Sequence, residues 1–308
     1  MVNLAFAVVC SVAIGMIFKY TGPTDIDRTA LLTVNYGVAV GVAAVVIGMG
    51  GRSVGGTLEP SPMLLGLGVG TGALLIAGFF LLAYATDVAG MSLAIGVMRV
   101  SVLIPFMASW LVWDEVPSAA QGVGMVLAAA AFFLIARKER RPEPVPAGVG
   151  GDGGGSAAHG GMAGIDWHAF GVLGLTFCMG GAVDLSMKTF EETFGAVHSS
   201  VLFLLLAFGV AFLIGAVMVG ARGLRQGEWP GARTMGWGLL LGVVNYGSLE
   251  FLLRAVAVLP GPFVFPANNI AIMVLAAVLG VYVWGEHLSR LNRIGIGLAI
   301  VALVLLKV

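Results

Sequence analysis

The chain has 308 residues, 59% of them hydrophobic and 10% charged, with a mean hydropathy of +1.01, which excludes an ordinary soluble domain and leaves an integral membrane protein. Its 16 basic and 16 acidic residues balance to a formal charge of zero, so nothing in the totals calls for nucleic acid or another polyanion. The apolar runs lack the two-residue alternation of a β-barrel strand, and 47 glycines suit helices that approach one another closely in lipid.

Taken in chain order, the apolar segments predict ten transmembrane helices, each near the roughly 20 residues that cross a core of about 30 Å. The first, 2–19, contains Cys10 and closes on Lys19; it has no basic residue before it and no small-x-small cleavage pattern, so it is expected to be a span and not a removable signal. The second, 29–49, holds Asn35-Tyr36-Gly37 in its interior, and the third is 62–84. The fourth, 89–113, places Arg99 about ten residues in, some 15 Å from the helix end and so near the membrane midplane. The acidic turn WDEVPS leads to the fifth, 118–136.

Residues 137–166 change character: a basic knot, alternating prolines, then glycine and serine. Such a stretch cannot bury enough apolar surface to order itself and reads as a flexible tether between a first unit, 1–136, and a second, 167–308. The sixth span, 168–190, carries Cys178, Asp184 and Lys188, and the seventh is 199–221. The eighth, 235–256, contains Asn245-Tyr246-Gly247, Glu250 and Arg254. Pro266, Asn268 and Asn269 interrupt the ninth, 260–284, and 290–307 is the tenth.

The two units are related. FLLAYATDVAG from Phe80 aligns without gaps to FLLRAVAVLPG from Phe251, and the same displacement carries Trp113-Asp114-Glu115 onto Trp284-Gly285-Glu286 and Gly124 onto Gly295. Upstream, IGMIFK ending at Lys19 matches VDLSMK ending at Lys188, and NYGVAVGVAAVVIG from Asn35 matches AFGVAFLIGAVMVG from Ala207. Five spans are an odd number, so consecutive copies enter the membrane from opposite sides; the expected fold is all-α, ten helices in two inverted five-helix repeats. Charge placement agrees. Lys19, Arg28, Arg137, Lys138, Arg140, Arg141, Arg222, Arg225, Arg233, Arg290 and Arg293 fall on one face, against Arg52, Lys188, Arg254 and Lys307 on the other. Both halves thus bias to the same side, and the rule that basic loops stay inside puts 137–166 in the cytoplasm.

With these features the sequence resembles the drug/metabolite transporter (DMT) superfamily, in particular its ten-helix EamA-type members. The resemblance rests on the Lys closing the first helix of each half (Lys19, Lys188), the stretch around Asn35-Tyr36, and the acidic turns WDEVPS and WGEHLS before the last helix of each half. It covers the chain apart from the tether. It implies a multi-pass protein of the plasma (inner) membrane, a secondary transporter that moves a small metabolite, anionic or amino-acid- or sugar-like, through a central cavity between the repeats. It also implies cytoplasmic termini, opposite to the charge count. Four-helix relatives carry a proton-handling Glu two turns before the Lys; Ser11 and Gly180 stand there, so proton coupling does not carry over.

Polar groups inside the spans are the candidate site, because each needs a partner or water. Asp184 with Lys188 and Glu250 with Arg254 are spaced four apart, acid first, so each can form a neutral pair on one helix face or serve coupling. Pro266 deprives the carbonyl of Pro262 of its donor, and Asn268 or Asn269 can repair that or face the cavity. The repeat sets Arg99 opposite Ile270, beside these amides, which suits recognition of a carboxylate; the alternative is neutralisation by Glu250 or Asp184. Asn35, Tyr36, Asn245 and Tyr246 can line a cavity or bridge helices. Glu115 and Glu286 fall in turns and are expected to be solvated or to cap. The tryptophans cluster toward span ends, as an interfacial belt requires. The four histidines offer no hydrolase or metalloprotease arrangement, so neither an enzyme nor a metal or cofactor site is expected. The partners expected are a small solute and the bilayer, with the chain a monomer or a homodimer. A channel and a non-transporting scaffold are the competing functions.

Overall fold

The computed structural model describes residues 1–22, 24–50, 56–89, 91–136, 167–285 and 289–307. Among them the chain forms eleven helices: α1 (Val2–Thr21), α2 (Arg28–Gly50), α3 (Pro62–Ala89), α4 (Met91–Val100), α5 (Leu103–Trp113), α6 (Ala119–Ala136), α7 (Trp167–Phe194), α8 (Ser200–Gln226), α9 (Ala232–Val256), α10 (Gly261–Trp284) and α11 (Arg290–Lys307). Eight stretches are long and apolar enough to cross a membrane: α1, α2, α3, α4 with α5 from Ala94 to Trp113, α7, α8, α9 and α10. The protein is a multi-pass helical membrane protein. The tether, Glu286, His159 and His287 lie outside the described residues.

The fourth segment, expected as one helix, is two. Pro105 has no N–H to give the carbonyl of Ser101, and its ring crowds that carbonyl. The ladder therefore changes over at Ser101 and Val102: the Ser101 hydroxyl donates to the Met98 carbonyl at 2.5 Å, and Ile104 N–H takes the Ser101 carbonyl at 2.9 Å. Arg99 thus ends a half-helix, in the last turn of α4. At Pro266, by contrast, α10 continues as helix.

Helices of the two halves interleave. α1 packs on α9 and α10, α2 on α8 and α9, α3 on α7 and α8, α4 and α5 on α7, α5 also on α10, and α6 on α11. Glycine makes some of these approaches possible: a Cβ at Gly242 of α9 would stand 2.5 Å from the Asn35 carbonyl oxygen of α2, a distance no side chain tolerates. One apolar core gathers Phe132, Val264, Phe265, Ile270 and Ala302; another gathers Tyr36, Phe190, Phe203, Phe208, Tyr246 and Leu253.

Candidate functional site

The break between α4 and α5 is pressed against α7 where that helix has two glycines. A Cβ at Gly180 would lie 2.7 Å from Ser101 Oγ, and one at Gly181 would lie 2.7 Å from Ile104 Cβ. One turn further along α7 is Asp184. From the end of α4, Arg99 Nη1 donates to Asn269 Oδ1 at 3.0 Å. The Nδ2 of Asn269 donates to the Phe265 carbonyl at 3.1 Å, and Asp184 lies near enough for Arg99 and Asn269 to act on it. The amide of α10 thus holds the guanidinium from α4, and the Asp184 carboxylate of α7 is the neighbouring charge. Both ionic groups are half-buried, Asn268 and Asn269 are buried, and Asn268 Oδ1 has no hydrogen-bond partner among the described residues.

Ile270, which the alignment sets against Arg99, is fully buried beside Asn269; Arg99 has Asn269 as its hydrogen-bond partner, and of the two acids expected to neutralise it, Asp184 is the neighbouring charge. One expectation changes: among the described residues neither amide donates to the Pro262 carbonyl, and Asn269 gives its proton to the Phe265 carbonyl, three residues further on, which lies beneath it at i−4.

The expected Asp184–Lys188 pair does not form. Lys188, fully buried, turns toward the C-terminal end of α7, where its Nζ is 2.8 Å from Glu115 Oε1 and 2.5 Å from Glu192 Oε1, with the Trp113 ring centroid 5.8 Å away. Two carboxylates outbid one. The other oxygen of Glu115 accepts from Gly261 N–H at 3.0 Å, so Glu115 caps the first turn of α10 from a different element while closing on α7. Asp114, in the left-handed region at φ 54, makes the turn that presents it. Glu192 and Gly261 escaped the sequence reading, although Glu192 stands at i+4 from Lys188.

Glu250 and Arg254 do pair, Arg254 Nε donating to Glu250 Oε1 at 2.7 Å; the acid is 6% exposed and the base 54%, the geometry of a stem lying on apolar surface with its head outward. Ser200 at the start of α8 donates to Glu250 Oε2 at 3.1 Å, a partner the sequence did not suggest. Tyr36 donates to the Leu75 carbonyl at 3.4 Å and joins Tyr246 through the ring of Phe208. Asn35 Oδ1 and the Tyr246 hydroxyl are buried without a partner among the described residues, and Asn245 is half-buried. No hydrogen bond among the described residues joins these four to Arg99, Asn269 or Asp184; they form a second polar locus in the α2–α8–α9 core. His168 meets the Tyr84 hydroxyl at 3.2 Å, and Trp110, Trp167 and Trp229 are exposed. Among the described residues no cluster of His, Cys, Asp and Glu could hold a metal ion.

No protein-family model matches the chain. It is similar to an uncharacterized protein of Haemophilus influenzae, 26% identical over 302 residues that span 96% of this chain and 93% of that protein. It also shares its fold with a protein known from a crystal structure, at a TM-score of 0.71 over 99% of this chain and 96% of the other, with 14% sequence identity.

Proposed function

We propose that this chain is a secondary transporter of the DMT superfamily, EamA-type, with ten spans in two inverted repeats, carrying a small metabolite across the plasma (inner) membrane by alternating access. The observation that carries the proposal is the Arg99–Asn269–Asp184 cluster: an ionic group from each half, the guanidinium held by an amide, at a broken helix inside an apolar bundle. Groups that expensive to hold in a membrane mark solute pathways. Discontinuous helices that meet ions at mid-depth are the way transporters build such sites.

The packing of the helices supports the repeat. The alignment pairs α1 with α7, α2 with α8, α3 with α9, α4 and α5 with α10, and α6 with α11. Exchanging mates turns the α1–α9 contact into α7–α3, α2–α9 into α8–α3, and α1–α10 into α7 with α4 and α5, all of which exist; α2–α8 and α6–α11 map onto themselves. An axis relating the halves produces that pattern.

Purified protein in proteoliposomes tests the function. Saturable uptake with counterflow of an identified metabolite supports a carrier, unsaturable flux assigns a channel, and no flux of any solute in a broad library leaves a scaffold. A thermal-shift screen chooses the solutes, because a ligand stabilises the state it binds.

A further inference from the structure

We infer that Asp184 is a proton-binding site linked to the solute site, so that an anionic solute binds at Arg99 together with one proton. This inference rests on the transporter reading above and adds its coupling and the charge of its solute.

The reason is electroneutrality in a place where charge is costly. With Asp184 ionised, Arg99 and Asp184 cancel, and an arriving carboxylate or phosphate would leave the cluster with a net negative charge. If Asp184 takes up a proton as a singly charged anion arrives, the site stays neutral, the fork of Arg99 turns from the protein to the solute, and Asn269 remains to orient it. The step is simple in balance: one carboxylate and one proton give one carboxylic acid, and the anion replaces it as counter-charge to the guanidinium.

The surroundings leave Asp184 to this work. Among the elements packed against α7, α4 brings Arg99, whose hydrogen-bond partner on α10, Asn269, is uncharged. α5, LIPFMASWLVW, contains no ionisable side chain. On α3 the ionisable groups are Tyr84 and Asp87 in the last turns, Tyr84 resting on His168 near the opposite end of α7 from Lys188. On α9 Arg233 is in the first turn, and Glu250 is occupied by Arg254 and Ser200 near the far end, beyond Tyr246. On α7 itself Lys188 is held by Glu115 and Glu192, with Glu191 beside them. No second cation among these neutralises Asp184.

The test uses the full-length protein in lipid. Infrared difference spectra taken on acidification, with and without sodium acetate, lactate, succinate, glutamate or phosphate, read the C=O stretch of a protonated carboxyl. The expected result is a band that Asp184→Asn removes and that at least one of these anions enlarges. Calorimetry of that anion in buffers of different ionisation enthalpy should then give about one proton taken up per anion, and an apparent affinity that rises about tenfold for each pH unit lowered while Asp184 is ionised. Asp184→Asn should bind the anion with no pH dependence, and Arg99→Gln should lose it. Anion binding without proton uptake, uptake unchanged in Asp184→Asn, or no anion that enlarges the band overturns the coupling while leaving intact any counterflow of another solute. Absence of counterflow for every solute overturns the transporter reading instead.

Discussion

Lys188 is the sharpest place to test the ion-pair geometry. Its side chain is 1% exposed, while its partners Glu115 and Glu192 are 25% and 33% exposed. Replacing both acids by glutamine removes the two negative charges but keeps amide oxygens that can accept from Lys188 and from Gly261 N–H. What remains is a buried ammonium whose contacting acceptors are neutral, with Glu191 as the one carboxylate left beside it. Stranding a buried charge costs about 3–5 kcal/mol, and the retained hydrogen bonds argue for the lower end, about 3 kcal/mol. Adding Lys188→Met to the same protein removes the stranded charge and leaves an apolar chain of similar reach, so most of that loss should return. Equilibrium unfolding in mixed SDS and detergent micelles measures all three proteins. A loss under about 1 kcal/mol for the double glutamine variant would mean that Lys188 finds Asp184 when the glutamates are gone, or was never dependent on them. Failure of Lys188→Met to restore stability would show that the loss came from packing at Gly261 and not from charge.

Four other outcomes are expected. Arg99→Lys keeps the charge but loses the planar fork, so transport of an identified solute should be lost in protein that inserts and unfolds like wild type; wild-type transport by Arg99→Gln would remove Arg99 from the site. Arg254→Ala leaves Glu250 buried with only Ser200 as partner and should be worse than the Glu250→Ala, Arg254→Ala double variant, a ranking read by stability in detergent; the opposite order gives Glu250 a role of its own. Gly242→Ala drives a methyl into the Asn35 carbonyl and should destabilise by about 1–3 kcal/mol, whereas Gly41→Ala enters open space and should not; equal effects would contradict the α2–α9 approach. Single cysteines placed in 137–166 should react with an impermeant reagent only in inside-out vesicles, and labelling in intact cells would reverse the orientation drawn from the basic residues.

The helices were readable because spans are long apolar runs whose ends are marked by charge, turn or proline, and none of that depends on tertiary partners. The break at Ser101 was also present in the sequence, since Pro105 removes a donor at a known offset; it was missed because the run stays apolar across it, and hydropathy does not register a lost hydrogen bond. Part of the candidate site is legible in the sequence: the displacement that sets Arg99 against Ile270 points to the neighbourhood of Asn269, to which Arg99 donates. Asn35, Tyr36, Asn245 and Tyr246 stay open between lining a cavity and bridging helices, because polarity in a span flags a residue but not the direction it faces. The capping alternative for Glu115 holds, but the sequence does not name its partners, Lys188 and Gly261, which are 73 and 146 residues away along the chain.

The two acid–base spacings on α7 and α9 show what decides such cases. Glu250 with Arg254 and Asp184 with Lys188 are identical as local patterns, acid first and base four later. On α9 the base reaches the outside of the bundle, where the described residues offer it no stronger acid, and the local pair forms. On α7 the base is fully enclosed, and an enclosed ammonium takes every carboxylate within reach; Glu192 on its own helix and Glu115 on a neighbouring turn both lie toward the helix end. Their claim on Lys188 is what leaves Asp184 without a cation on its own helix. Arg99 can act on it only because Gly180 and Gly181 admit the broken end of α4. The ion pair at the end of α7 and the cluster beneath it are therefore coupled by a single choice of partner. A variant that releases Lys188 toward Asp184 should weaken whatever Arg99 does, even though it touches neither Arg99 nor Asn269.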